Sequence, residues 1–87
     1  MKPEAAEKLV GKITHYYPRL NVGIVELSDG ELRVGDTIRI KGKHTDFTQT
    51  VDSMQIEHQD VNQAEKGKVV GIKVKEKVRE HDQVFVI

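Results

Sequence analysis

The sequence predicts an all-β domain, a single small closed six-stranded β-barrel. Six short segments alternate apolar and polar residues with a period of two, and glycines punctuate the gaps between them. No segment keeps a helical period for longer than about two turns. A closed barrel is the architecture that leaves such strands without exposed edges.

The first strand runs from Leu9 to Tyr17, with Leu9, Gly11, Ile13, His15 and Tyr17 on one face, and Pro18 ends it because proline donates nothing to a ladder. Leu20, Val22 and Ile24 begin the second strand in one phase, while Val25 and Leu27 continue it in the other. A bulge near Gly23 or Ile24 would reconcile the two. Ser28–Gly30 and Gly35–Asp36 read as turns around Leu32 and Val34, and Ile38 and Ile40 give the inward face of a third strand that stops at Gly42. From Phe47 to His58 the apolar phase changes between Val51 and Met54, so a bend at Asp52 and Ser53 would let one strand serve two sides of the barrel. Residues 60–67, DVNQAEKG, read as a helical turn or tight loop. Val70, Ile72 and Val74 mark the fifth strand, with Val69 adding apolar weight to its other face, and Gln83–Ile87 supplies the sixth. The domain is expected over residues 9–87, behind a flexible lead-in at 1–8.

Length and composition restrict what such a barrel can do. The 87 residues suffice for one core. With no cysteine there is no disulfide framework, thiolate zinc site or thiol nucleophile, and a reducing, cytoplasmic setting is the natural expectation. The polar opening MKPEAAEKLV lacks an apolar signal core, and no apolar run approaches 18 residues, so no membrane role is expected.

Catalytic constellations find no support. His15, His44, His58 and His81 form no i, i+4 pair and join no carboxylate cluster, so they read as surface or structural residues and no metal site is expected. Ser28 and Ser53 sit in no nucleophile elbow, and no glycine-rich phosphate loop is present, so no catalytic residue and no cofactor is expected. Gly35, Gly42, Gly67 and Gly71 suit turns and close backbone approach in a small barrel.

Charge placement is the remaining signal. Fourteen basic residues balance fourteen acids, so any attraction to an anion is local. Lys66, Lys68, Lys73, Lys75, Lys77 and Arg79 face one acid, Glu76, and Lys73, Lys75, Lys77 and Arg79 would share one face if the strand continued. Arg33, Arg39, Lys41 and Lys43 form a second basic group around Asp36. Brought together, these residues would make a phosphate-binding flank, with His15, Tyr16, Tyr17 and Phe47 as possible stacking surfaces. Solvated lysines guarding strand edges are the plainer reading.

The stretch LRVGDTIRIKG, the later VNQAEKGKVVGIKV and the closing VREHDQVFVI together resemble the barrel that follows the GTPase domain in elongation factor Tu and related translation GTPases. The shared pattern falls on Leu32, Val34, Gly35, Asp36, Ile38, Ile40 and Gly42, then on Val61, Ala64, Gly67, Val70, Gly71 and Ile72, then on Val78, Arg79, Glu80, Asp82 and Val84. The GTPase domain with its phosphate loop is absent, so GTP chemistry is not implied. With FTQTVDSMQIEH, the chain is closer still to the C-terminal barrel of collagenase-like peptidases, whose catalytic domain is also absent. The first resemblance implies a non-enzymatic module that binds RNA or a ribosome-associated complex; charge alone puts Lys66, Lys68, Lys73, Lys75, Lys77, Arg79, Arg39 and Lys41 on phosphates. The second implies a protein-interaction module that docks on a separate peptidase-like or RNA-modifying enzyme.

Overall fold

Ten strands account for the regular structure, which a computed structural model describes for residues 7–87. In chain order they are β1 (Lys8–Tyr17), β2 (Val22–Glu26), β3 (Leu32–Arg33), β4 (Thr37–Lys41), β5 (Asp46–Thr50), β6 (Met54–Ile56), β7 (Gln59–Val61), β8 (Gln63–Ala64), β9 (Val69–Lys73) and β10 (Gln83–Val86). Most of the expected lead-in lies outside the described residues, and Lys8 already belongs to β1.

The all-β class stands, but the closed six-stranded barrel does not. Eight strands pair antiparallel in the order β5-β4-β10-β1-β2-β9-β6-β7, and β3 and β8 form a separate ribbon. Among the described residues neither sheet closes on itself. The strand count rises because the Phe47–His58 run breaks at Val51–Ser53 into β5 and β6, because Leu32–Arg33 between the two expected turns pairs as β3, and because residues 59–64 pair as β7 and β8 where a helical turn or loop was expected.

Side chains and turns seal what the ladders leave open. The Gln49 amide on β5 imitates a peptide group: its Nε2 donates to the Lys73 carbonyl at 2.8 Å, and its Oε1 accepts from the Lys75 N–H at 2.8 Å. The Gly35 N–H donates to the Val51 carbonyl and the Val51 N–H to the Asp36 carbonyl, both at 2.8 Å, which fastens the β3–β4 turn onto the β5–β6 bend. Gly35 holds φ at 99°, a conformation that costs glycine little, and the Asp36 carboxylate reaches back to accept the Arg33 N–H at 3.0 Å.

Within this wrapping, alternate residues of each long strand meet in one core. Val10, Ile13, Val25, Leu27, Ile38, Ile40, Val70, Ile72 and Val84 are each no more than 1% exposed, and Leu32 and Ala64 of the ribbon plug one end. Val10 and Ile13 both point inward because β1 shifts register between Leu9 and Gly11; a second shift, against β2, falls between Ile13 and His15. The irregularity expected in the second strand therefore lies across from it, in the first. Strand β2 keeps a single phase, Gly23 and Val25 inward followed by Leu27, so Leu20, Val22 and Ile24 never belonged to the core face.

Two glycines are enforced by their neighbours. A methyl at Gly11 would overlap the Glu26 carbonyl, and one at Gly42 would overlap the Asp82 carboxylate. Asp82 is buried at 3% exposure, accepts the Arg79 N–H at 2.9 Å, and lends its carbonyl to the Ile13 N–H at 2.7 Å. It thereby pins the charged connection between β9 and β10 to β1.

Candidate functional site

The apolar residues left outside the core gather on the outer face of the sheet. In register, Val22 lies beside Lys73, Ile24 beside Gly71, and Glu26 beside Val69, while Tyr17 and His15 flank Val22 and Ile24 on β1. On the far side of β9, Gln55 of β6 faces Gly71. Because Gly71 has no side chain, this row dips at its middle. The result is a groove of about 670 Å³ with Gly71 on its floor. Leu20, Val22, Ile24 and Tyr17 form one side, and Ile56, Glu57 and His58 of the β6–β7 hairpin tip the other.

Exposure is concentrated here. Five large apolar side chains of the described residues stand well out in solvent, and Leu20 at 58%, Val69 at 51% and Tyr17 at 45% all line this groove. Scattered exposed apolar residues need no explanation, but a clustered set marks an interaction surface. Leu20 is held in position: its N–H donates to the Tyr17 carbonyl at 3.1 Å, and its carbonyl accepts the Lys73 ammonium at 3.1 Å. The Tyr17 ring meets His15 edge-on with centroids 4.4 Å apart. The opposite rim is a two-residue hairpin in which both Glu57 (φ 50°) and His58 (φ 68°) adopt the left-handed conformation usually given to Asn-Gly. Of the charged groups, Lys68 and Glu57 line the groove and offset each other.

The expected basic residues lie on several elements. Lys66 and Lys68 precede β9 while Lys73 closes it, so Lys68 and Lys73 are separated by about 17 Å of extended chain. The strand ends at Lys73, and the expected stripe Lys73, Lys75, Lys77, Arg79 breaks up on an irregular connection, because Gln49 takes the Lys75 N–H that a continuing ladder would have used. Arg39 and Lys41 lie on β4. The Arg39 guanidinium is occupied by Asp46, with contacts of 2.8 and 2.9 Å, and by Glu7 at 2.9 Å. The hydrogen bonds from Arg39 hold the Asp46 carboxyl below its ordinary range, and Asp46 and Glu7 raise the guanidinium above its own. All four histidines are exposed, and among the described residues no group of three or more His, Asp or Glu is placed to hold a metal. No described helix is long and apolar enough to cross a membrane.

The groove was missed because Leu20, Val22 and Ile24 read as one phase of a bulged strand and Tyr17 as a stacking surface. The legible signal was apolar character in both phases: Val22 and Ile24 against Val25 and Leu27, and Val69 against Val70. A strand with one face in a core and the other in water carries only one such phase. Two apolar phases in β2 and β9 mean that their outer face is also apolar.

The sheet order, the nailed VGD turn and the Asp82 pin describe a barrel-like domain of the translation-factor kind. The chain belongs to the elongation factor Tu domain 2 family, whose model matches residues 21–84. Among curated proteins it is 42% identical to an uncharacterised protease of Methanocaldococcus jannaschii over 79 residues, covering 90% of this chain and 19% of that protein. It is 43% identical to a collagenase of Porphyromonas gingivalis over 77 residues, covering 87% of this chain and 21% of the collagenase. The chain thus spans about a fifth of the length of the curated relatives it matches. Two crystal structures described as the C-terminal domain of a Geobacillus thermoleovorans U32 peptidase share the fold. One has a TM-score of 0.84 at 20% identity, covering all of this chain and 98% of that one; its selenomethionine variant has 0.83 at 21%, covering 88% and 96%.

Proposed function

We propose that this domain is a non-catalytic protein-interaction module that works on a U32-type, peptidase-like enzyme. The observation that carries this reading is the groove on the outer face: it is apolar and charge-balanced, the character of a surface that meets polypeptide. A surface for a phosphate backbone would instead gather unpaired cations. Here Arg39 is paired with two acids, one donor of Lys73 is spent on the Leu20 carbonyl, and the remaining lysines are spread along and beyond β9. The relatives named protease and collagenase, matched over most of this chain at 42–43% identity, support the choice of enzyme.

Affinity capture from native lysate with and without nuclease tests the reading. Retention of a U32-type peptidase chain, identified by mass spectrometry and indifferent to nuclease, is the expected result. Recovery of RNA, or of proteins that vanish with nuclease, overturns it.

A further inference from the structure

The β6–β7 hairpin turns on two residues, Glu57 and His58, that both hold positive φ, at 50° and 68°. Four residues other than glycine do so among those described, and three of them, Asn21, His58 and His81, are of the types that tolerate this conformation best. Glu57 is the exception. The other two turns also put the backbone to use: the Asn21 carbonyl accepts the Val74 N–H at 2.8 Å, and the His81 N–H donates to the Ile13 carbonyl at 2.8 Å. At the hairpin, Asn-Gly would form the same turn with less strain. Nothing inside the fold calls for a glutamate there. The ion pairs of the described residues join Lys12 to Glu26, Arg33 to Glu31, and Arg39 to Glu7 and Asp46, and Glu57 enters none of them. The side-chain hydrogen bond that fastens this hairpin runs from Gln55 Nε2 to Asp60 Oδ1 at 3.0 Å, without Glu57. Strain kept at a residue whose side chain the fold does not use points to function outside the fold.

We infer that Glu57 is a specificity-determining contact for the docked enzyme, its carboxylate receiving a cationic side chain, an arginine or a lysine, of the peptidase. This rests on the interaction-module reading and names the chemistry that the partner brings. Glu57 is exposed and lines the groove together with Ile24, Ile56 and Val69. Docking over those apolar walls takes water from the carboxylate, which can only accept hydrogen bonds and, once dry, needs an opposite charge. The chain's own candidate is Lys68, the groove's other charged residue. The β6–β9 register, Met54 to Ile72 and Gln55 to Gly71, leads the hairpin tip toward the end of β9 that Lys68 precedes. Even so, Lys68 makes no ion pair with Glu57. The carboxylate therefore stays available to a partner, and a guanidinium suits it best because it can donate two parallel bonds.

The test uses the full chain and the purified peptidase recovered by capture, with affinity measured by titration and stability by thermal melting. Glu57→Gln keeps the shape and removes the charge, so it should bind at least about tenfold more weakly while melting as the native chain does. Glu57→Asn combined with His58→Gly relieves the turn and should melt several degrees higher, yet lose binding at least as far. Glu57→Asp keeps the charge in a residue type that accepts positive φ, and should bind more tightly than Glu57→Gln does. Native-strength binding by Glu57→Gln overturns the inference, as does a double variant that melts no higher than the native chain. Val69→Glu separates the two readings: if it abolishes binding while Glu57→Gln leaves it intact, the groove docks the enzyme and Glu57 is not its contact. Failure to recover a peptidase, or capture of RNA alone, removes the module reading and this inference with it.

Discussion

Replacing Gln49 with alanine tests how this domain is sealed. The side chain replaces a missing rung between β5 and the end of β9, with one donated and one accepted bond of 2.8 Å each. A hydrogen bond of this kind contributes about 0.5–1.5 kcal/mol net; with the site near solvent, two of them are worth about 1–2 kcal/mol. For a domain of this size, each kcal/mol moves Tm by about 4–8 °C, so Gln49→Ala should melt roughly 5–15 °C lower. Urea unfolding should show a lower midpoint with an unchanged slope, because the surface exposed on unfolding is the same. Hydrogen exchange gives the local reading: the Lys75 amide, protected by Gln49 Oε1, should exchange far faster in the variant, while the Ile40 amide is affected only through global stability. Gln49→Glu keeps the acceptor but loses the donor to the Lys73 carbonyl, so it should rescue only Lys75 protection. An unchanged urea midpoint together with an unchanged Lys75 exchange rate would refute the idea that a side chain closes this seam.

Two further outcomes follow from the same contacts. Gly42→Ala forces a methyl into the buried Asp82 carboxylate and should cost about 1–3 kcal/mol by chemical denaturation. Asp46 has a lowered carboxyl pKa in the folded state, so the stability it supplies is fully present above the unfolded value of about 4 and is lost as pH falls through the folded value. Asp46→Asn should therefore flatten part of the acid limb of a stability-versus-pH curve, an effect kept small by exposure of the pair.

The inward residues of β4 were legible because Ile38 and Ile40 alternate with polar residues up to the turn at Gly42, and those of β9 because Val70, Ile72 and Val74 recur with a period of two. The bend between β5 and β6 was legible from the phase change between Val51 and Met54. Strand β2 was harder to read: Gly23 contributes no hydrophobic signal although it faces the core, while its outward neighbours Val22 and Ile24 do. The ribbon and β7 escaped because two- and three-residue strands carry too little pattern to show a period. Barrel closure was inferred from the need to protect edges, yet an amide side chain and two turn bonds meet part of that need without a continuous ladder. The basic residues looked like a flank only while Lys73–Arg79 could be drawn as one strand. The groove depends on which strands lie side by side, β6 against β9 against β2, and linear sequence does not state that adjacency.

The salt dependence of the captured complex tests most directly whether this domain meets protein through its apolar outer face. Between about 50 and 200 mM salt the affinity for the peptidase partner should stay within a few-fold, as expected when few phosphates and few free cations meet. A logarithmic slope near −0.7 for each of several contacts, falling when Lys73 and Lys75 are reversed to glutamate, would contradict the account and return the domain to nucleic acid.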